Sequence, residues 1–207
     1  ASNRGPAEEV CGSSECVSTF RTSCQKTLKC GHKCFGHKDE AICPPCLIDG
    51  CNNNPNHYDQ NEDSYCNICF AEGLGSSPVV LLSCNHYIHH KCLDTRLKKK
   101  WVGPKITFNH ALCPQCNSWM SCPNNPDLQN VMKETKVLYD DICKKAMERF
   151  KFEGLDKDEK IKNPNSPWYK KDLEYALHKI SYYMCYECKK PYFAGLRECR
   201  GGPNDVD

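Results

Sequence analysis

Cys66-Asn67-Ile68-Cys69, fourteen residues on Cys84-Asn85-His86, then His89-His90-Lys91-Cys92 and, twenty residues later, Cys113-Pro114-Gln115-Cys116 are the spaced pairs around which this chain is organised. Thiolate and imidazole are donors that suit zinc, and one or two intervening residues let two side chains on a tight turn reach the same ion. Eight donors fill two tetrahedral sites. A single C-x-x-C says little, but four pairs in this order, with histidine as the fourth and fifth donors, seldom arise by chance.

The rest of the composition agrees with a metal-supported fold. In 207 residues, 39% hydrophobic content with 12 Gly and 13 Pro leaves little for one large core, so metal sites must supply part of the stability. The 19 cysteines also invite a secreted disulfide framework. Their odd number, the histidines at ligand spacing and the lack of an apolar leader favour thiolate–zinc chemistry in a reducing intracellular compartment, cytoplasm or nucleus. No run reaches the roughly 18 apolar residues of a membrane helix. A net charge of +2 gives no general reason to expect nucleic acid, and Lys98 to Lys100 read as a solvated helix face.

Upstream of the organising stretch, residues 1–9 read as a lead-in, and Val10, Val17, Phe20 and Cys24 approximate a helical stripe. Cys11, Cys16 and Cys24 are either ligands or small buried residues. Cys30-Gly31-His32-Lys33-Cys34, His37, Cys43-Pro44-Pro45-Cys46 and Cys51 form a dense donor cluster similar to the zinc-binding repeats of the NF-X type. Spacing leaves the ligand choice open; Cys30, Cys34, Cys43 and Cys46 are favoured, with one or two zinc ions. Asn52 to Asp63 reads as a linker.

Val79 to Leu82 predict a short strand and residues 90–100 a short helix. The interval Trp101 to Leu112 is long, and Ile106-Thr107-Phe108 suits an extra strand, as a local elaboration or a partner surface. Apolar residues from Leu128 to Phe150 recur in steps of three, four and seven, which predicts a helix over 127–151 stopped by Gly154, with Cys143 packed beside the stripe. Residues 155–168 read as a connection and Lys170 to Tyr183 as a second helix. Cys185 and Cys188 are half a zinc site, possible metal ligands with only Cys199 after them, so the chain is expected to be a piece of something longer. The expected divisions are an N-terminal cysteine-rich zinc-binding region (1–60), the double zinc domain (61–120), a long linker helix (121–155) and the incomplete start of another cysteine-rich domain (156–207).

The donor order of the organising stretch resembles a RING domain. In that family the first and third pairs share one zinc and the second and fourth the other, which implies Cys66, Cys69, His89 and Cys92 in one site and Cys84, His86, Cys113 and Cys116 in the second; His90 has no place in the scheme. The fold class expected is thus a small zinc-stabilised α+β protein, a cross-brace RING flanked by an N-terminal zinc-binding helical region, a long linker helix and the start of a cysteine-rich zinc domain. The resemblance implies a ubiquitin ligase that docks a ubiquitin-charged E2 conjugating enzyme. The apolar docking surface would use Ile68 and Pro114, with Leu97 or Trp101 beside them; the alternative is that Ile68 fills the RING core. Where many RINGs that drive direct transfer to lysine place Arg or Lys after the last ligand, this chain has Asn117, a neutral amide.

The Cys-Gly-His-Lys-Cys region, the RING with Trp101-Val102-Gly103-Pro104-Lys105-Ile106-Thr107-Phe108, the long helix, and Tyr183-Met184-Cys185-Tyr186-Glu187-Cys188-Lys189-Lys190-Pro191-Tyr192-Phe193 together resemble the Pam/Highwire family of neuronal RING-Cys-relay ubiquitin ligases. The resemblance implies ubiquitin passed from E2 to one cysteine, then a second, then a threonine or serine hydroxyl of a protein substrate, and it implies the axon as a location. The matching first relay cysteine is Cys199, between Arg197 and Arg200, cations that would favour its thiolate. The other reading of Cys199 is a third ligand beside Cys185 and Cys188. The competing functions are direct RING-driven transfer to lysine and a non-catalytic zinc scaffold for protein partners.

Overall fold

Val79–Leu81 (β1) and Tyr87–His89 (β2) pair antiparallel with Val80 opposite Ile88, and β2 runs directly into the helix His90–Lys99 (α2). β-branched and aromatic residues on this short hairpin bury almost completely, as does the Leu93/Leu97 stripe of α2. The computed structural model describes residues 12–51 and 60–193. It divides into two compact units, the described residues of Ala1–Lys100 with His110–Lys133, and Trp101–Asn109 with those of Glu134–Asp207.

In the first unit the helix Ser14–Thr22 (α1) begins where the Ser13 hydroxyl accepts a hydrogen bond from the Cys16 N–H at 3.2 Å, satisfying one of the unpaired donors of a first turn. A hairpin-like segment follows and joins the RING: the Val79 N–H donates to the Phe35 carbonyl (2.9 Å) and the Glu62 N–H to the Leu47 carbonyl (3.1 Å). The Tyr87 hydroxyl donates to the Pro45 carbonyl at 3.3 Å. Leu47 is buried in the same core as Leu74, Val80, Tyr87 and Leu93, so the division expected near residue 60 passes through one packed interior rather than between two.

The second unit is built on the later turns of the 27-residue helix Pro126–Phe152 (α3). Ile142, Ala146 and Phe150, spaced by four, bury against Ile161, Tyr175, Ala176 and Ile180. Gly154 stops the helix in the left-handed conformation (φ 68°), its N–H bonded to the Lys151 carbonyl at 3.1 Å. A one-turn helix Glu159–Lys162 (α4) is capped by Asp158, whose carboxylate also accepts the Tyr175 hydroxyl. The predicted helix over 170–183 is shorter, Asp172–Lys179 (α5), because Ile180 turns extended and Tyr182–Met184 (β3) pairs antiparallel with Pro191–Phe193 (β4). Aromatic and β-branched residues favour that conformation.

The long interval after α2 is part of this second interior. The Ile106 N–H donates to the Tyr182 carbonyl at 2.9 Å and Lys105 bridges to Tyr183, while Phe108 meets Tyr139 edge-on at 5.0 Å. It forms an isolated bridge to β3 rather than the extra strand expected. The chain is a small α+β protein with short helices and two-stranded sheets arranged around clusters of cysteine and histidine. No helix among the described residues is long and apolar enough to cross a membrane.

Candidate metal centres

The backbone sets the donors before any ion is considered. After Cys66 and Cys69, Phe70 adopts a positive φ of 53° and its N–H donates to the Cys66 carbonyl (2.9 Å); after Cys113 and Cys116, Asn117 does the same at φ 57°, with its N–H on the Cys113 carbonyl (2.8 Å). This tight turn points both sulfurs of a C-x-x-C to one side. The pair Cys84 and His86 is held by the β1–β2 turn, where Asn85 is left-handed at φ 66° and the Leu82 N–H donates to the His86 carbonyl at 3.0 Å.

These turns gather Cys66, Cys69, His89 and Cys92 into one group and Cys84, His86, Cys113 and Cys116 into another, the donor atoms of each lying within 4.8 Å of one another. Zinc bonds of about 2.3 Å to sulfur and 2.0–2.1 Å to nitrogen give tetrahedral edges of about 3.8 Å between two sulfurs and about 3.6 Å between sulfur and nitrogen. His89 Nδ1 lies 3.8 Å from Cys69 Sγ and 3.9 Å from Cys92 Sγ, and His86 Nδ1 lies 3.5 Å from Cys113 Sγ. The donor chemistry and the edge lengths fit zinc. The far nitrogen of His89, Nε2, is 3.0 Å from the Gly73 carbonyl; this contact assigns its proton to Nε2 and leaves the Nδ1 lone pair for the metal.

The electrostatics of the bare donors point the same way. Burial disfavours a charged His89, yet the Cys66 and Cys69 sulfurs outweigh it and raise its pKa to about 9. Burial, followed by the neighbouring Cys113, pushes the Cys84 thiol up to about 12, and burial with Cys66 and Cys69 does the same to Cys92. In the same groups, against burial, hydrogen bonds from His89 lower Cys66 to about 6, and hydrogen bonds with Ser118 lower Cys116 to about 6. Each group thus divides its thiols between proton-holding and proton-releasing members, and metal binding would release the protons that remain.

Two further groups lie upstream. Cys30, His32, Cys46 and Cys51 form one, with His32 Nδ1 3.4 Å from Cys46 Sγ; Cys24, Cys34 and Cys43 form the other, with Cys24 and Cys43 sulfurs 3.7 Å apart. The favoured cysteines are divided between the two groups, Cys30 and Cys46 in one and Cys34 and Cys43 in the other. The reason is in Pro44 and Pro45, which favour an extended chain and do not allow the tight turn that Cys66–Cys69 and Cys113–Cys116 share, so Cys43 and Cys46 serve different groups. His37 joins neither group and instead stacks on His90, ring centroids 3.7 Å apart.

At the other end, Cys185 and Cys188 sit on the β3–β4 turn. Lys189 is left-handed (φ 56°) with its N–H on the Cys185 carbonyl at 3.1 Å, the same turn as in the two RING pairs. Cys199 lies outside the described residues. Cys122, fully buried with its thiol pushed up to about 12 by burial, and Cys143, half-buried on α3 with its thiol also raised by burial, have the character of inert packed thiols.

Of the expected docking residues, Ile68 packs half-buried on the first core and Pro114 is half-buried; their loops are tied by a hydrogen bond from Asn67 Nδ2 to Gln115 Oε1 at 2.8 Å. Leu97 is a correction: at 1% exposure it belongs to the core and offers nothing to a partner. Trp101 packs against the second core. Sequence reasoning missed Phe70, 71% exposed beside Cys69; an aromatic in a left-handed turn position, where its side chain has no interior to fill, was the available signal.

Residues 65–118 match the zinc-RING finger domain family. The chain is 36% identical over 190 residues to the E3 ubiquitin-protein ligase MYCBP2 of Danio rerio and 35% identical over 199 residues to the E3 ubiquitin-protein ligase highwire of Drosophila melanogaster. Each match covers 92% of this chain, which spans about 4% of the length of either relative. A shorter match, 36% over 50 residues, covers 24% of the chain and 2% of the E3 ubiquitin-protein ligase UBR1 of Saccharomyces cerevisiae.

Proposed function

Because the chain belongs to the family of MYCBP2 and highwire, we propose that it is the part of an E3 ubiquitin ligase that receives a ubiquitin-charged E2 and hands the ubiquitin to a cysteine. The observation that carries this reading is the pair of interleaved four-donor groups that fixes the loops bearing Ile68 and Pro114. Each RING group would hold one zinc ion, whose chemistry is structural, since four protein donors leave no open coordination position. Cys185 and Cys188, on the same kind of turn, would supply two ligands to another.

The E2 would dock on Ile68 and Pro114, with Phe70 as an exposed aromatic anchor of the sort that dominates protein interfaces. The chain's own chemistry is then a thiol exchange. The Cys199 thiolate attacks the carbonyl carbon of the E2–ubiquitin thioester, a new thioester forms, and the E2 cysteine leaves as a thiolate; no oxidant or cofactor enters the balance. Asn117 supports relay over direct transfer, because a neutral amide in a left-handed turn supplies no cation to hold the thioester for attack by a lysine. In the whole protein a second cysteine would pass ubiquitin to a threonine or serine hydroxyl of the substrate. The thiolate-rich centres and the relay thiol both require a reducing, intracellular compartment.

Incubation with ubiquitin-charged E2 tests this. A thiol-sensitive ubiquitin adduct is expected on the wild-type chain, absent from Cys199→Ser, and formed about tenfold more slowly by Ile68→Ala with its zinc content unchanged. An adduct that survives Cys199→Ser, or discharge onto free lysine without any cysteine adduct, overturns the relay.

A further inference from the structure

The seven donors upstream of the RING follow an order that spacing alone does not reveal. Along the chain Cys24 belongs to the first group, Cys30 and His32 to the second, Cys34 and Cys43 to the first, and Cys46 and Cys51 to the second. Apart from one donor missing at the start, this is the alternation of the RING itself, where Cys66 and Cys69, then Cys84 and His86, then His89 and Cys92, then Cys113 and Cys116 go to alternate groups.

The backbone shows how the alternation arises. Residues 23–37 fold back on themselves: Ser23 bridges His37, the Cys24 N–H donates to the Gly36 carbonyl (2.9 Å), the Cys34 N–H to the Lys26 carbonyl (3.0 Å) and the Leu28 N–H to the His32 carbonyl (2.8 Å). Gly31 closes the tip at a positive φ of 85°, open to glycine at no steric cost. Cys24 and Cys34 are therefore at the base of this hairpin and Cys30 and His32 at its tip. The following segment crosses both levels, and its two prolines place Cys43 at the base and Cys46 at the tip.

We propose that residues 23–51 are a second cross-braced module that binds two zinc ions, one held by Cys30, His32, Cys46 and Cys51 and the other by Cys24, Cys34 and Cys43 with the last tetrahedral position filled from outside these three. The sulfur–sulfur edge of 3.7 Å between Cys24 and Cys43 is the length that two zinc-bound thiolates require. Cys24 and Cys34 are buried and Cys43 and Cys46 are held by a stiff dipeptide, so the donors are preorganised rather than gathered from flexible chain. This proposal is independent of the ligase reading and would stand if ubiquitin transfer failed.

The test is cadmium-113 substitution of the wild-type chain, read by proton–cadmium correlation. One cadmium coupled to the β-protons of Cys24, Cys34 and Cys43, and a separate one coupled to those of Cys30, Cys46 and Cys51 and to the His32 ring, is the expected result. A single upstream cadmium, or none, overturns the proposal. As a second measurement, native mass spectrometry of the double substitution Cys34→Ser with Cys46→Ser should show two zinc ions fewer than wild type. A loss of one or none overturns it equally.

Discussion

His89 and His90 are adjacent and chemically identical, and burial disfavours the charged form of both, yet their neighbours bring them to opposite results. His89 faces the Cys66 and Cys69 sulfurs and is raised to about 9; His90, buried and stacked on His37, is lowered to about 4. What separates them is the junction of β2 with α2, which turns one ring toward the thiols and the other toward a second imidazole. Glu40 is a third case of an environment deciding charge. Burial raises its carboxyl to about 7 while its Oε2 accepts the His37 N–H at 3.2 Å. A carboxyl whose folded pKa lies above its unfolded value binds more protons when folded, so its ionisation costs stability as pH rises from about 4.5 to about 7. Glu40→Gln keeps an acceptor and removes that cost. The variant is expected to gain up to about 3 kcal/mol over wild type at pH 8 and little at pH 5, measured as the difference between their melting curves. A difference independent of pH would show that Glu40 is not buried as a neutral acid.

Among the elements, α3 was the most legible in the sequence. Its apolar positions recur at helical spacing over several turns, and the observed bounds Pro126–Phe152 lie within a residue of the expected 127–151. Gly154 was legible too, and its role can be measured. It has φ 68° with nothing within 4 Å of an added Cβ, so Gly154→Ala meets only the left-handed backbone penalty. A loss of about 1–2 kcal/mol is expected in denaturant unfolding, and no loss would mean that the helix stops elsewhere. The RING groups were legible for a different reason, because C-x-x-C turns tie sequence neighbours to one site. The upstream groups were not, since Cys43-Pro44-Pro45-Cys46 has the same spacing but the opposite geometry. α5 was overextended because its spacing continued to be compatible with a helix through Ile180, whereas strand pairing of Tyr182 with Phe193 depends on residues eleven positions later.

At the level of the whole molecule, the two units differ in what supports them. All four groups of three or more metal-type donors found among the described residues lie in the first unit, whose interior includes Cys66, Cys113 and Leu47 together. The second has an interior of ordinary apolar side chains, including Phe150, Tyr175 and Ala176. Treatment with a strong zinc chelator is therefore expected to raise amide hydrogen exchange throughout residues 60–100 and 110–125, while residues 142–150 and 172–179 keep their protection. Equal loss of protection in both would show that the second interior also depends on metal.

The segment Trp101–Asn109 carries a practical lesson about cutting the protein. It lies inside the sequence limits of the zinc-RING match, residues 65–118, yet Ile106 and Phe108 belong to the other interior. Excision at those limits would carry away two apolar side chains without the surfaces that shelter them. A soluble excised RING should need residues 101–109 replaced by a short polar loop, and residues 134–193 expressed alone should need that same piece restored to them.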